Sequence, residues 1–232
     1  MKRFYTSAAA VASSDGFAIL LDGKPVKTPA RCALAVPTLA LGEAIAAEWA
    51  TQVETIDPGT MKLTGLANAA IDRVAPDPAA FARELARYAD SDLLCYRADT
   101  PADLMARQAR EWDKLLGWAR RRYDIDFVVV MGIIHACQPA ATVARLSAAI
   151  AAPDAFRLAA LSPIVTIGGS LVATLALFEG EIDAPQAFAV THLDELWQAE
   201  RWGDDAEAIV ARDHRRADFL AAARMLELLG RP

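Results

Sequence analysis

The stretch from Leu158 to Phe178 contains no charged residue and places the strongest constraint on how this chain can fold. A helix over this stretch would be long enough to cross a bilayer. However, Ser162-Pro163, Gly168-Gly169-Ser170 and Thr174 interrupt the apolar pattern, and residues of these types are typical of helix breaks and caps. We therefore predict two core helices broken at Pro163. A membrane-attached subunit is the less favoured alternative.

The overall composition agrees with a folded, globular chain. Hydrophobic residues make up 54% of the sequence and charged residues 23%, a balance that differs from that of disordered chains. The formal net charge is -6, so nucleic acids and anionic membranes are unfavourable partners. The three cysteines are far apart in the sequence without a Cys-x-x-Cys pair, which predicts buried free thiols in a reducing compartment.

The N-terminal part of the chain carries strand signals. The apolar run from Phe17 to Leu21 ends in Asp22-Gly23, which favours a two-residue hairpin turn because glycine tolerates the positive φ of such turns. Pro25 to Thr28 is expected to form the return strand, and Cys32 to Val36 a third strand. The segment from Ala8 to Ala12 faintly resembles the apolar part of a signal peptide, but it is too short for this interpretation, which we reject.

Helical signals begin at Pro37-Thr38 and dominate after Asp77-Pro78, where an N-cap residue precedes proline at the first helical position. The β-branched run 127–134 is compatible with an extended segment. The predicted fold class is therefore α+β, with a small β-rich N-terminal domain at 1–75 and a larger all-helical C-terminal domain at 76–232.

No catalytic template matches the sequence. The three histidines are isolated from one another, and the phosphate-loop and nucleophile-elbow patterns are absent. Gly168-Gly169 lies within a helical pattern, where glycine indicates close packing of the backbone more often than ligand binding. We therefore expect no catalytic residue, no metal, no cofactor and no ATP hydrolysis. A small-molecule enzyme with an unrecognised active site is the alternative.

Several short motifs follow one another in a fixed order over nearly the whole chain. They are Arg3-Phe4-Tyr5, Leu21 to Pro29, Glu48-Trp49, Asp92 to Arg97, Gln108 with Glu111-Trp112-Asp113, and Leu193 to Gln198. In this order they resemble the alpha-subunit assembly chaperones of the ATP synthase F-one sector, the Atp-twelve family. Lys114 stands where the family is expected to have proline, and Gly169 where it often has lysine.

The resemblance implies a β-rich N-terminal domain joined to a helical one, and a function without catalysis. A member of this family would bind the unassembled alpha subunit and prevent its aggregation until the beta subunit replaces the chaperone. It would act as a monomer in the bacterial cytoplasm, or in the mitochondrial matrix for organellar relatives.

The segment after Val190 is the candidate partner-binding surface. Asp194, Gln198 and Arg201 recur at helical spacing on one side of a predicted helix, whereas Leu193 and Trp197 can face the core. Together with the resemblance, this pattern predicts a partner-binding set that consists of Asp194, Glu195, Gln198, Arg201 and Trp202. A solvated helix face, and core packing for Trp202, are the alternatives. We expect Asp194→Lys to weaken binding at least tenfold, about 1.4 kcal/mol, without changing the melting temperature.

Overall fold

The computed structural model describes residues 1–230 and confirms the predicted α+β class, with a small N-terminal sheet and a mostly helical remainder. The strands of the described residues are β1 Ala8–Ser13, β2 Gly16–Leu21, β3 Lys24–Pro25, β4 Ala35–Val36, β5 Tyr96–Arg97 and β6 Val130–Met131. The α-helices are α1 Leu39–Ala50, α2 Lys62–Ala69, α3 Pro78–Ala86, α4 Ala102–Tyr123, α5 Ala140–Ala151, α6 Ala155–Gly168, α7 Leu171–Phe178, α8 Ala184–Thr191, α9 Leu193–Trp202 and α10 Ala206–Leu229.

The predicted hairpin is confirmed. Strands β2 and β3 flank the Asp22-Gly23 turn and pair antiparallel. Strand β2 also pairs with β1 and β4. Asp22 and Gly23 have φ values of 46° and 77°, as a turn with two left-handed residues requires. The Asp22 carboxylate accepts hydrogen bonds from the backbone N–H groups of Thr6 and Ser7. These hydrogen bonds lower the pKa of Asp22 to about 2, and the bond from the Ser7 backbone has the largest effect.

Strand β1, Ala8–Ser13, was not predicted from the sequence, in which the run Ala8 to Ala12 carries no strand signal. Alanine has a low intrinsic preference for strands, but here it allows a close approach. A Cβ atom added to Gly42 of α1 would lie 2.9 Å from the Cβ of Ala10 and 3.3 Å from that of Phe17. The small residues of β1 and the glycine of α1 therefore let this helix pack directly against the sheet.

The chain divides into two compact units, of which the first contains the sheet. Its segments are Met1–Pro78, Asp154–Ala160 and the segment that begins at Ala221. Ala160, Met225 and Leu229 belong to the same buried cluster as Ile19 and Ile45, so the core of this unit includes parts of α6 and α10. Whether 1–75 and 76–232 fold as separate domains stays a prediction.

The second unit consists of Ala79–Pro153 and Leu161–Leu220 and is mostly helical. Its one strand pair joins β5 and β6 in parallel, and β6 falls within the run that was compatible with an extended segment. The predicted break at Pro163 is wrong, because α6 continues through this proline to Gly168.

The end of α6 is determined by Gly169 and Ser170. Gly169 has a left-handed φ of 68°, and the Ser170 hydroxyl caps α7 by accepting a hydrogen bond from the N–H of Ala173 at 3.0 Å. Buried neighbours of Pro163 such as Leu161 and Val165 support the helix across the proline, since packing can offset its cost of about 3 kcal/mol. Within residues 1–230, none of the helices has the length and apolar character that crossing a membrane requires.

Candidate partner-binding surface

Helix α9 carries the predicted partner-binding residues and is anchored by its apolar side. Leu193 and Trp197 are buried, with 3% and 6% of their surface exposed. This confirms the expectation that they face the core. Their burial orients the polar residues of α9 toward the edge of the core and the solvent.

Asp194 is half-buried and bonded to the fold. Its Oδ1 atom accepts a hydrogen bond of 2.8 Å from Nε2 of Gln108, a residue that is fully buried. The Oε1 atom of Gln108 in turn accepts a hydrogen bond of 2.8 Å from the N–H of Ala98. This contact counts against the expectation that Asp194→Lys leaves the melting temperature unchanged, because the substitution would remove the acceptor of a buried amide. Helical spacing could not reveal this contact, because Gln108 lies on α4.

Glu195 joins α9 to α10. Both of its carboxylate oxygens accept hydrogen bonds of 2.8 Å from the Arg215 guanidinium, and Arg212 lies 3.7 Å away. Arg212 also pairs with Asp204, and this hydrogen bond lowers the pKa of Asp204. Glu195 thus belongs to a network of charges that connects two consecutive helices.

The last turn of α9 leaves three of the predicted residues at the surface. Gln198 and Arg201 are exposed, and 73% of Trp202 is exposed, so core packing does not account for this tryptophan. The Trp202 ring stacks edge-on against Trp197 with 5.3 Å between ring centroids. Arg201 lies over the same Trp197 ring at 5.5 Å and donates a hydrogen bond to Asp103. These contacts hold the exposed end of α9 in one arrangement.

An open groove of about 500 Å³ runs beside α9, between this helix, α4 and α8. Leu193 and Leu196 contribute apolar surface to it. The arginine and lysine side chains that line it are paired with carboxylates: Arg107 binds Glu200, which lies outside the lining, at 2.5 and 2.9 Å. Hydrogen bonds from Arg110 and Lys114 lower the pKa of Glu111, and the bond from Arg110 has the larger effect. This pairing is typical of a solvated helix surface.

A second exposed region, which sequence reasoning missed, is the apolar loop 128–134. Ile133 and Ile134 are 96% and 82% exposed, and Met131 is 53% exposed. A β-branched run of this kind normally indicates burial, so its pattern alone gave no sign of exposure. Contiguous apolar surface is typical of regions that contact other proteins.

The same loop leads into a cluster of possible metal ligands that the sequence did not predict. Asp90, His135 and Cys137 place one ligand atom each within 4.8 Å of one another. The sequence predicted no metal site, because neither pair spacing nor a known motif connects Asp90 with the other two residues. The prediction of buried thiols is correct for Cys95 but wrong for Cys32 and Cys137, which are exposed.

Comparison with known proteins identifies the family. The model of the ATP12 chaperone protein family matches residues 2–120. The chain belongs to the ATP12 chaperone family. It is therefore a member of the family that the ordered motifs resembled, a family of ATP synthase assembly chaperones.

Relatives of the ATP12 family resemble the chain over most of its length. The mitochondrial protein atp12 of Schizosaccharomyces pombe is 25% identical over 226 residues, which cover 91% of this chain and 78% of that protein. The crystal structure of Atp12 from Paracoccus denitrificans matches with 42% identity and a TM-score of 0.92, covering 98% of this chain and 97% of that one. An aspartate-to-lysine mutant of P. denitrificans Atp12p matches with 41% identity, a TM-score of 0.92 and the same coverage.

Proposed function

We propose that this ATP12 family member binds the unassembled alpha subunit of the F-type ATP synthase and holds it until the beta subunit takes its place. A free subunit exposes apolar surface that its neighbour later covers, and such surface promotes aggregation. A chaperone that covers this surface lowers the concentration of the aggregating species. It must bind more weakly than the true neighbour, so that it can be displaced.

The observation that carries this proposal beyond family membership is the exposed end of α9. Trp202 is 73% exposed, although a tryptophan at the surface gives up the favourable burial of a large ring. It stands beside the exposed side chains of Gln198 and Arg201. Tryptophan and arginine are the residue types that most often dominate binding energy at protein interfaces. We propose that this end of α9 contacts the alpha subunit.

Asp194 and Glu195 have a double role in this proposal. Their bonds to Gln108 and Arg215 fix the orientation of α9, and the Asp194 carboxylate, whose partner is a neutral amide, contributes a negative field at the surface of this helix. Such a field favours a partner surface with a complementary positive charge and increases the rate of encounter. The proposed binding set is therefore the one that the sequence predicted, with two of its members also stabilising the fold.

In this proposal the chain acts as a monomer and catalyses no reaction. Its location is the bacterial cytoplasm, and that of organellar relatives is the mitochondrial matrix. The groove beside α9 supports this proposal rather than the small-molecule enzyme, because its arginine and lysine side chains are held in ion pairs with carboxylates of the helices instead of converging on one point. ATP hydrolysis by the purified chain above background would favour the enzyme.

The partner is tested with isolated subunits. In the absence of ATP, the chain should suppress light scattering by aggregating alpha subunit, and addition of beta subunit should release the chain from the alpha subunit. Isolated beta subunit is the matched control and should aggregate at the same rate with and without the chain. A pull-down that recovers beta but not alpha would refute the proposed partner.

The surface is tested with an exposed aromatic residue on each unit. Trp202→Ala should weaken alpha-subunit binding at least tenfold, about 1.4 kcal/mol. Phe4→Ala is the matched control, because Phe4 is 66% exposed and also stacks edge-on against a neighbouring ring. Binding affinities measured by calorimetry that fall equally in both variants would exclude a specific role for the end of α9.

The charge of Asp194 is separated from its structural role by two substitutions. Asp194→Asn keeps an oxygen that can accept the Gln108 hydrogen bond but removes the charge, whereas Asp194→Lys removes both. We expect Asp194→Asn to weaken binding with a melting temperature close to that of the wild type. We expect Asp194→Lys to lower the melting temperature as well, because it leaves the buried Gln108 amide unpaired. Unchanged binding by the asparagine variant would remove this charge from the interface.

A further inference from the structure

His135 and Cys137 of the loop between α4 and α5 approach Asp90, which lies between α3 and β5. The Nε2 atom of His135 lies 3.4 Å from Oδ2 of Asp90 and 3.8 Å from Sγ of Cys137. All three candidate ligand atoms lie within 4.8 Å of one another. Imidazole nitrogen, thiolate sulfur and carboxylate oxygen are the three ligand types that zinc takes from proteins.

The two distances from His135 are close to the edges of a tetrahedral zinc site. With zinc bonds of about 2.0 Å to nitrogen and oxygen and about 2.3 Å to sulfur, tetrahedral geometry places nitrogen and oxygen about 3.3 Å apart, and nitrogen and sulfur about 3.5 Å apart. The measured separations of 3.4 Å and 3.8 Å are close to both values. The third pair, Asp90 and Cys137, lies within 4.8 Å, so a cation at this point requires these two side chains to move closer together while His135 stays nearly in place.

The arrangement differs from that of a catalytic cysteine. In a nucleophilic triad the cysteine and the acid contact opposite nitrogens of the histidine. Here both Cys137 and Asp90 approach the same nitrogen, Nε2 of His135. Two groups directed at one ring nitrogen, together with that nitrogen, are suited to share a cation.

Neighbouring groups hold the candidate ligands in place. The hydroxyl of Tyr96 lies 3.0 Å from Nδ1 of His135, so an Nδ1–H that donates to this oxygen leaves the Nε2 lone pair available. Oδ1 of Asp90 accepts a hydrogen bond of 2.8 Å from the N–H of Gln138, and its other oxygen is the one that faces His135. Metal-binding histidines and carboxylates in proteins are commonly oriented by such second contacts.

The loop that carries the histidine and the cysteine is closed at its base. The buried side chain of Gln138 makes two hydrogen bonds to the backbone of Val128, at 3.0 and 2.9 Å. Farther along, the N–H of Gly132 donates a hydrogen bond of 2.7 Å to the carbonyl of Arg97. These bonds reduce the conformational freedom that the loop would lose when a cation binds.

We propose that Asp90, His135 and Cys137 form a zinc-binding site with three protein ligands. A fourth position is left for water or for a donor group from another molecule, as in zinc sites with three protein ligands. Cys137 binds as the thiolate, and its proton is released to solvent on binding. The site is independent of the α9 surface and lies next to the exposed loop 128–134.

The test uses the full-length chain without an affinity tag, reduced with a phosphine, and titrated with Co²⁺ as a spectroscopic probe for zinc. We expect a thiolate-to-cobalt charge-transfer band in the near ultraviolet that saturates at one cobalt per chain and is displaced by Zn²⁺. Cys137→Ser should abolish the band. Cys32→Ser is the matched control, because Cys32 is also an exposed free thiol, and it should leave the band unchanged.

Further variants distinguish a built site from casual binding. His135→Ala should lower zinc affinity at least tenfold, whereas His214→Ala, a change at another exposed histidine, should not alter it. Tyr96→Phe should lower affinity about tenfold by releasing the imidazole orientation. Circular dichroism of each variant checks that the fold is kept. A charge-transfer band that survives Cys137→Ser, or no band with cobalt in excess over protein, would overturn the proposal.

Discussion

In both compact units a carboxylate from another segment caps the start of a helix, but at different depths. The first unit, which contains the sheet, is called here the N-terminal unit, and the second is called the helical unit. In the N-terminal unit, Glu48 of α1 caps α2 and is half-buried. In the helical unit, Asp92 caps α7 and is fully buried. The two regions thus provide an internal comparison of the same interaction in two environments.

The contacts of the two carboxylates are closely similar. Glu48 accepts hydrogen bonds from the N–H groups of Leu63 and Thr64 at 2.7 and 2.8 Å, and from the Thr64 hydroxyl. Asp92 accepts bonds from the N–H groups of Leu94 and Val172 and from the Ser170 hydroxyl, at 3.0, 2.8 and 2.8 Å. Both groups therefore satisfy backbone donors that a helix start leaves unpaired.

Depth has a clear consequence for ionisation. Burial raises the pKa of Asp92 to about 6, against the lowering effect of its hydrogen bonds. The exposed Asp22 accepts a similar number of hydrogen bonds, and there they lower the pKa to about 2. The comparison teaches that hydrogen bonds to a carboxylate do not by themselves decide its charge, because the cost of desolvation can exceed them.

The largest expected effect comes from the buried cap. Asp92→Asn replaces one acceptor with an NH₂ group, so a buried N–H such as that of Val172 loses its partner. We expect the free energy of unfolding to fall by about 3 kcal/mol at pH 7.5, measured by urea denaturation. Asp15→Asn, at an exposed turn residue, is the control and should change stability by less than about 0.5 kcal/mol.

A pH series sharpens the comparison further. Because the folded pKa of Asp92 is raised to about 6, the folded state binds more protons than the unfolded state between about pH 4 and pH 6. The contribution of Asp92 is full below the unfolded pKa and is lost as pH rises through 6. The difference in unfolding free energy between the wild type and Asp92→Asn should therefore be about 1 kcal/mol larger at pH 5 than at pH 7.5. Subtracting the unfolding free energy of the variant from that of the wild type cancels the contributions of the other titrating groups. One of these groups is His192, whose pKa is lowered by burial. A difference that grew with pH would contradict this assignment.

The half-buried cap, Glu48, should contribute less to the free energy of unfolding than Asp92 does. Glu48→Gln retains one oxygen for the start of α2, and water can reach the remaining donor. We expect a loss of about 1 kcal/mol in unfolding free energy, measured in the same urea titrations. A loss as large as that of Asp92→Asn would mean that burial does not distinguish the two caps.

The smallest expected effect is at the hairpin turn. Asn tolerates the left-handed conformation of Asp22 and can accept hydrogen bonds from Thr6 and Ser7. Asp22→Asn should therefore shift the urea midpoint at pH 7.5 less than Glu48→Gln does. Because the folded pKa of Asp22 is lowered, its contribution is present above about pH 4 and is lost as pH falls toward 2. The variant should lack this acid dependence, and a larger shift at neutral pH would indicate a structural role for the charge.

Local chemistry made part of this structure predictable from sequence. The Asp22-Gly23 turn, the start of α1 after Thr38 and the start of α3 at Pro78 each depend on the backbone preferences of two or three neighbouring residues. The inward orientation of Leu193 and Trp197 followed from helical spacing alone. The ordered motifs were sufficient to indicate the ATP12 family.

Other features were decided only by the tertiary structure. Strand β1 exists because β2 and Gly42 offer alanine residues a partner, and α6 passes through Pro163 because buried neighbours support it. The bond between Gln108 and Asp194 and the meeting of Asp90 with His135 join residues far apart in the chain. Spacing within a helix or strand records which side a residue faces, but not which distant residue packs there. These contacts arise only when the core closes, because their free energy comes from burial and pairing between segments that local preferences leave independent.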